Sequence, residues 1–169
     1  DLLRVVLDAV GDRARIVAGV GTFNTEHTLE LTATAAKVGA HGLLVVTPYY
    51  SKPPQAGIAE HFRRIADATE VPVMLYDIPG RTAVAIATDT MLRLAEHPRI
   101  VAVKDAKGDL TASARVIAQT DLAYYSGDDA MTLPLLSVGA VGVVGTSTHF
   151  SAVGTKQLIE AYLDGEVAT

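Results

Sequence analysis

The stretch Val71–Tyr76, with the sequence VPVMLY, is a short apolar run that passes directly into the polar segment Asp77–Arg81, DIPGR. Comparable runs, rich in Val, Ile and Leu, recur at about Ile16–Ala18, Leu43–Val46, Ile100–Val103, Leu122–Tyr125 and Val141–Val144. Runs of this length that are apolar at nearly every position predict strands covered on both faces. The sequence therefore predicts six buried strands.

The segments between these runs have the periodicity of amphipathic helices. Apolar residues are spaced three or four apart, as in Ile58, Phe62 and Ile65 and again in Met91 and Ala95. Strands that alternate with helices predict a parallel sheet of an α/β protein. No linker, charge run or low-complexity segment divides the chain, so residues 1–169 are interpreted as a single domain.

Capping residues agree with this pattern. Gly39 is expected to end a helix, and Thr88 or Asp89 to cap a helix that begins near Thr90. Asp128 and Asp129 could be metal ligands, but they fit better as caps of the helix that follows them.

Two architectures fit repeated strand–helix units, an open doubly wound sheet and a (β/α)8 barrel. Eight units make a barrel of roughly 200 to 250 residues, and this chain contains six. The segment Gly19-Val20-Gly21 lacks the third glycine of a dinucleotide-binding turn, which argues against the doubly wound alternative. We therefore predict a partial (β/α)8 barrel that lacks two units at its start.

Composition excludes several classes of protein. Of the 169 residues 49% are hydrophobic and 20% charged, with a net charge of −5, which predicts a compact soluble domain that does not bind nucleic acid. The absence of cysteine excludes disulfides and thiolate chemistry and fits a reducing, cytoplasmic location. The five histidines lack ligand spacing, so no metal site is expected. No apolar run reaches the roughly 20 residues of a membrane span, and the first residues do not have the form of a signal peptide.

Lys104 is the sharpest candidate for chemistry. It continues the apolar run Ile100–Val103, and in barrels the reacting groups stand at the carboxyl ends of strands. Burial disfavours the ammonium form and lowers the pKa of a lysine, which exposes an amine able to form a Schiff base with a carbonyl substrate. The alternative is a lysine that pairs with a carboxylate or reaches solvent. Lys107, in the following Gly-Asp loop, is interpreted as solvated.

Tyr76 and Arg81 complete a plausible site. Tyr76 ends the strand before that of Lys104, and its hydroxyl can both donate and accept a proton. Arg81 lies in the loop after Tyr76 and offers a planar fork to a carboxylate. Taken in isolation, a tyrosine that caps the core and a solvated loop arginine are the commoner interpretations of Tyr76 and Arg81. Tyr49 and Tyr50 are either loop aromatics or a second phenol for the site.

Four ordered motifs together resemble one family. They are Thr47–Pro54 (TPYYSKPP), Tyr76–Thr82 (YDIPGRT), Val103–Ala106 (VKDA) and Ser126–Asp129 (SGDD). In this order and spacing they resemble the dihydrodipicolinate synthases, pyruvate-dependent class I aldolases, and the resemblance extends from about Ile16 to Gly165.

The resemblance implies a (β/α)8 barrel in which Lys104 forms an imine with pyruvate and no separate cofactor is needed. The enamine then adds to aspartate semialdehyde, in the first committed step of diaminopimelate and lysine biosynthesis. It further implies that Tyr76 shuttles protons, that Tyr50 completes the relay from a neighbouring subunit, and that Arg81 holds the semialdehyde carboxylate. Gly127 and Val144 are implied to contact the substrate, and a homotetramer built as a dimer of dimers is implied as the assembly.

Two departures from the family pattern affect these expectations. The family's first two barrel units, with a Gly-Thr-Thr motif that binds the pyruvate carboxylate, and its C-terminal helices are not in this sequence, so the segment alone is expected to be inactive. Phe23 and His27 stand where lysine-inhibited members carry asparagine and glutamate, which predicts weak sensitivity to lysine. A one-residue shift of the alignment would place Asn24 and Glu26 there instead.

Two rival functions stay open at this point. A sialic-acid or keto-deoxy-sugar lyase of the same superfamily shares the lysine and Tyr76, although Arg81 and the pair Tyr49 and Tyr50 argue against it. A non-catalytic product, truncated or assembling with a complementary fragment, is the rival of another class.

Overall fold

The chain forms one parallel sheet in which each strand pairs with the next along the sequence. The structure is a computed structural model and describes residues 2–166. Its strands, in spatial as well as sequence order, are β1 (Val17–Gly19), β2 (Gly42–Val46), β3 (Val73–Asp77), β4 (Ile100–Asp105), β5 (Ala123–Ser126) and β6 (Gly142–Val143). A doubly wound sheet would reverse its strand order at a switch point. The sequential order therefore confirms the partial (β/α) barrel.

Helices occupy every connection between the strands, and one further helix precedes β1 and another follows β6. They are α1 (Leu2–Val10), α2 (Thr25–Val38), α3 (Gln55–Asp67), α4 (Pro79–Thr82), α5 (Thr88–Ala95), α6 (Leu110–Gln119), a 3-10 helix (Asp129–Met131), α7 (Thr132–Leu136) and α8 (Thr148–Leu163). Helix α1 and the short α4 were not predicted. Within the described part of the chain, no helix has both the length and the apolar character needed to cross a membrane.

The core lies between the sheet and its helices. Alternate strand residues such as Val45, Leu75 and Val103 are completely buried, together with Phe62 of α3 and Met91 of α5. This packing confirms the helical periodicity in the sequence.

The other face of the sheet is partly open. Val17 and Val101, on β1 and β4, are 46% and 42% exposed. The prediction that the strands are covered on both faces is thus correct only on the helix side, because no described element packs over the inner face.

The helix ends test the predicted caps. Gly39 ends α2 in the left-handed conformation, at φ 101°, which glycine adopts without strain. Helix α5 begins at Thr88, so the prediction that Thr88 or Asp89 caps it was wrong. Ala87 is the N-cap residue, and its N–H donates to Gln55 Oε1 at 2.9 Å, so a side chain from α3 supplies the acceptor.

Asp128 is confirmed as a cap, because its Oδ1 accepts from Ala130 N at 3.0 Å at the start of the 3-10 helix. Asp129 was predicted to share that role, but it lies inside the 3-10 helix and caps nothing.

Candidate active site

Lys104 and Tyr76 lie side by side at the carboxyl ends of neighbouring strands. They are directly paired in the register of β4 and β3. The Nζ atom of Lys104 is 4.2 Å from the centroid of the Tyr76 ring, a cation–π distance. The predicted juxtaposition of these two residues is therefore present.

Burial shifts both side chains toward their neutral forms. It lowers the pKa of Lys104, an effect that the Asp129 carboxylate opposes. It raises the pKa of Tyr76, and the nearby Arg81 guanidinium opposes that shift. A lysine with a lowered pKa has more neutral amine at physiological pH, which is the nucleophile that imine formation requires. Sequence reasoning missed the influence of Asp129 on Lys104, because the two are far apart in the chain.

A cleft opens above the inner face of the sheet next to Tyr76. Its wall includes Leu44 and Val46 from β2, Tyr49 from the following loop, and Arg81. A second groove runs between Leu92 and Leu122 at the amino ends of β4 and β5 and contains none of the predicted site residues. The cleft beside Tyr76 is therefore the candidate site.

Arg81 lies in helix α4 rather than in an irregular loop, which corrects the sequence interpretation. Thr82 Oγ1 is within hydrogen-bond distance of the carbonyls of Ile78 and Val84, at 3.1 and 2.9 Å, and the turn ends at Ala83 with φ 62°. These local bonds build a compact turn. The turn places the exposed guanidinium of Arg81 on the wall of the cleft.

Gly127 and Val144 follow β5 and β6, and Gly127 lies beside the lysine. A Cβ atom at Gly127 would come within 3.0 Å of Lys104 Cγ, so glycine leaves room for the lysine stem. Val144 N donates to Ser126 O at 2.8 Å and extends the pairing of the last two strands. Their predicted contact with substrate stays a prediction.

The two adjacent tyrosines of the loop after β2 point in different directions. Tyr49 packs edge-on against Phe23, with ring centroids 5.5 Å apart, and contributes to the cleft. Tyr50 has φ 69° and is 91% exposed. The chain does not bring Tyr50 to Lys104, so its predicted role depends on a second subunit and stays a prediction.

Lys107 is not solvated, and the prediction that it is was wrong. Its side chain is only 12% exposed, and its Nζ lies 3.5 Å from Oδ2 of Asp77, which is itself buried. The signal was the position of Asp77, because a carboxylate that ends a buried strand needs a partner. Sequence reasoning did not use that signal.

Asn24 and Glu26, which a one-residue shift of the alignment would place at the effector positions, lie at the start of α2. Asn24 Oδ1 accepts from His27 N at 3.0 Å, and Glu26 pairs with Arg64 at 2.5 Å. Asn24 and Glu26 are therefore occupied by a helix cap and an ion pair. Weak sensitivity to lysine remains a prediction.

Two of the histidines, His61 and His41, make hydrogen bonds within the fold. His61 Nδ1 lies 2.9 Å from Thr25 Oγ1, and burial, aided by Arg64, lowers the pKa of His61 to about 4. His41 Nδ1 accepts from Ile16 N at 2.9 Å. Among residues 2–166, no three His, Asp or Glu side chains form a group that could hold a metal ion.

Parallel strands in sequential order, with a cleft beside Tyr76 at their carboxyl ends, define this chain as part of a (β/α) barrel. A sequence model of the dihydrodipicolinate synthetase family matches residues 1–169, and the chain belongs to this family.

Individual relatives agree with this assignment. The chain is 70% identical over 166 residues to 4-hydroxy-tetrahydrodipicolinate synthase of Acidothermus cellulolyticus, covering 98% of this chain and 54% of that protein. It is 62% identical to the synthase of Cutibacterium acnes, with coverages of 99% and 57%. The crystal structure of dihydrodipicolinate synthase from Cyanidioschyzon merolae with lysine bound superposes with a TM-score of 0.94 at 49% identity, covering 96% of this chain and 56% of that one. The chain thus spans about half the length of the relatives it matches.

Proposed function

We propose that a protein of full family length carrying this chain condenses pyruvate with aspartate semialdehyde to give 4-hydroxy-tetrahydrodipicolinate. The observation that carries the proposal is the placement of Lys104 Nζ 4.2 Å from the Tyr76 ring, at the carboxyl ends of adjacent strands. Residues 1–169 would form part of a single barrel domain, working in diaminopimelate and lysine biosynthesis in the cytoplasm.

In this proposal the neutral amine of Lys104 attacks the ketone carbon of pyruvate, and water leaves to give a protonated imine. Loss of a methyl proton converts the imine to an enamine, whose carbon attacks the aldehyde of the semialdehyde. The substrate's own amine then displaces Lys104 and closes the ring. The imine is the electron sink, so the reaction needs no separate cofactor.

Other residues would position groups and move protons. The Tyr76 ring lies 4.2 Å from the amine, and its hydroxyl would relay protons during imine formation. Arg81, on the wall of the same cleft, would hold the semialdehyde carboxylate. Gly127 and Val144, next to Lys104 and at the end of β6, would contact bound substrate.

We further propose that Tyr50 acts in a neighbouring subunit of a homotetramer built as a dimer of dimers. Its exposure supports this assignment, because a tyrosine that is 91% exposed at a loop tip is available to reach across an interface.

The proposal is tested by assaying the full-length protein with pyruvate and aspartate semialdehyde, with Lys104→Arg as the matched inactive control. Product formation that Lys104→Arg abolishes is expected. Cleavage of a sialic or keto-deoxy-sugar acid, assayed in parallel, should be absent. Sugar-acid cleavage without condensation, or no activity in a folded oligomer, would overturn the proposal.

A further inference from the structure

Two buried carboxylates lie directly behind the candidate site. Asp77 follows Tyr76 and Asp105 follows Lys104, and the two aspartates are paired in the register of β3 and β4. Successive side chains of a strand point to opposite faces, so the aspartates face the helices while the tyrosine and lysine face the barrel interior. Asp77 is 0% and Asp105 2% exposed.

Asp77 connects the segments that follow the two strands. Its Oδ1 accepts from Ile86 N at 3.1 Å, on the segment that follows Arg81. Its Oδ2 lies 3.5 Å from Lys107 Nζ and has no closer polar partner within residues 2–166. One side chain thus joins the connection carrying Arg81 to the connection that begins after Lys104.

Lys107 is held at both ends. Its backbone N–H donates to Asp105 Oδ1 at 2.8 Å, while the other oxygen of Asp105 accepts from Ser113 Oγ at 2.5 Å. The neighbouring Ala106 N donates to Asp77 O at 2.8 Å. The backbone that carries the Lys107 side chain is therefore fixed by hydrogen bonds, and it places the Lys107 ammonium group next to Asp77.

The charges facing Asp77 are unbalanced without this lysine. Asp105 and the buried hydroxyl of Tyr124 both face Asp77, and Lys107 is the cation that offsets the negative charge there. Even with Lys107 present, burial raises the pKa of Asp77 to about 6. Removing one partner of a buried pair leaves an uncompensated charge, which strongly disfavours the local arrangement.

We propose that Lys107 is a positioning residue which, through Asp77, holds the ends of β3 and β4 so that the Lys104 amine meets pyruvate beside Tyr76. The inference rests on the proposed function. Lys107 itself touches no reacting atom, so it acts on the rate of imine formation and not by forming the imine.

The test is the rate of imine formation at saturating pyruvate in the full-length protein, followed by rapid borohydride quenching. Lys107→Met is expected to slow the rate about 10-fold to 100-fold, because small misplacements of reacting groups have effects of this size. Lys107→Arg, which keeps the charge, should stay within about 3-fold. Lys37→Met, at an exposed lysine of α2, is the matched control and should keep the wild-type rate.

The double variant Asp77→Asn/Lys107→Met tests whether Asp77 and Lys107 act as one unit or independently of each other. Residues that act as a unit are non-additive, so the double variant should be no slower than either single variant. In a plot of the rate of imine formation against pH, the plateau rate should be lower than in wild type. The midpoint pH, which Lys104 sets, should be unchanged. If Lys107→Met does not fold, the double variant is compared with Lys107→Arg and should still be about 10-fold slower.

A wild-type rate in folded Lys107→Met, or multiplicative losses in the double variant, would overturn the inference and leave the proposed function intact. Failure of the wild-type protein to trap any pyruvate would overturn the proposed function instead, and this inference with it.

Discussion

Two pairs of residues, one position apart on the same two strands, have opposite characters. Tyr76 and Lys104 are on the inner side of the sheet and are partly accessible, whereas Asp77 and Asp105 face the helices and are buried. The first pair has a ring and an amine in contact. The second has its carboxylates tied to Lys107 and Ser113.

The difference shows that the two faces of a barrel strand carry different kinds of residue: reacting side chains on the inner face and structural side chains on the covered face. A reacting amine must be reached by substrate, so it can lie only on the inner face at the end of a strand. A carboxylate on the covered face is kept only when it is paired or hydrogen-bonded, so it can bind the connecting segments together. We expect changes to the inner pair to affect chemistry and changes to the outer pair to affect placement and stability.

The largest effect is expected at Lys104. Lys104→Arg keeps a positive charge but removes the amine that forms the imine, so turnover should fall by on the order of 10³-fold or more. Circular dichroism and the oligomeric state should match the wild type. Turnover within 10-fold of wild type would place the nucleophile elsewhere.

Tyr76→Phe keeps the ring and removes the relay hydroxyl, and turnover should fall by about 10² to 10⁴. Tyr124→Phe is the matched control, since Tyr124 lies on the covered face and its hydroxyl has no hydrogen-bond partner in the described part of the chain. Turnover of Tyr124→Phe should be unchanged, and its free energy of unfolding equal to or about 1 kcal/mol above that of wild type. Equal losses of turnover in Tyr76→Phe and Tyr124→Phe would contradict the distinction between the inner and the covered face of the sheet.

Arg81→Ala should raise the KM for aspartate semialdehyde by roughly 10-fold to 100-fold, because a charge-assisted pair with its carboxylate is lost. Pyruvate trapping should continue, since Arg81 does not contact Lys104 in the proposed mechanism. Steady-state kinetics with each substrate varied separately compares the effect of Arg81→Ala on aspartate semialdehyde with its effect on pyruvate. Lost trapping would assign the arginine to pyruvate.

The effect expected from the titration of Asp77 is on stability and not on turnover. Burial raises its pKa from 3.8 to about 6, so the folded state keeps the proton over a range where the unfolded chain has lost it. Folding therefore takes up a proton between these values, and the free energy of unfolding decreases as pH rises from about 4 to about 6, by on the order of 3 kcal/mol. Asp77→Asn should lack this contribution.

Urea unfolding of both proteins between pH 4 and 7 measures this effect as a difference, which cancels other titrating groups such as His61. The stability of wild type relative to Asp77→Asn should decrease with rising pH. An increase would mean that Lys107 lowers the pKa of Asp77 more than burial raises it.

Much of the fold was predictable because local patterns agree with the final packing. The apolar runs locate all six strands, and the spacing of Ile58, Phe62 and Ile65 locates α3. The start of α5 was misplaced because its acceptor, Gln55, comes from another helix. The open inner face of the sheet was also not predictable, because periodicity indicates which strand residues are apolar but not which elements pack against them.

Within the site, the inner pair Lys104 and Tyr76 was predictable from the sequence, but the buried pairing behind it was not. Strand-end position was enough to bring Lys104 and Tyr76 together, because the register of adjacent parallel strands aligns their ends. The partnership of Asp77 with Lys107 was not found, because Asp77 ends β3 whereas Lys107 lies in the connection after β4, and Lys107 alone resembles a solvated loop charge. Pairings of this kind depend on tertiary geometry.

The central claim is that Lys104, and neither Lys52 nor Lys107, forms a covalent imine with pyruvate. Borohydride reduction of the full-length protein with pyruvate, followed by digestion and mass spectrometry, tests it directly. The mass of reduced pyruvate should appear on the peptide position of Lys104 and be absent in Lys104→Arg. A label on Lys52 or Lys107, or no label in a folded protein, would contradict it.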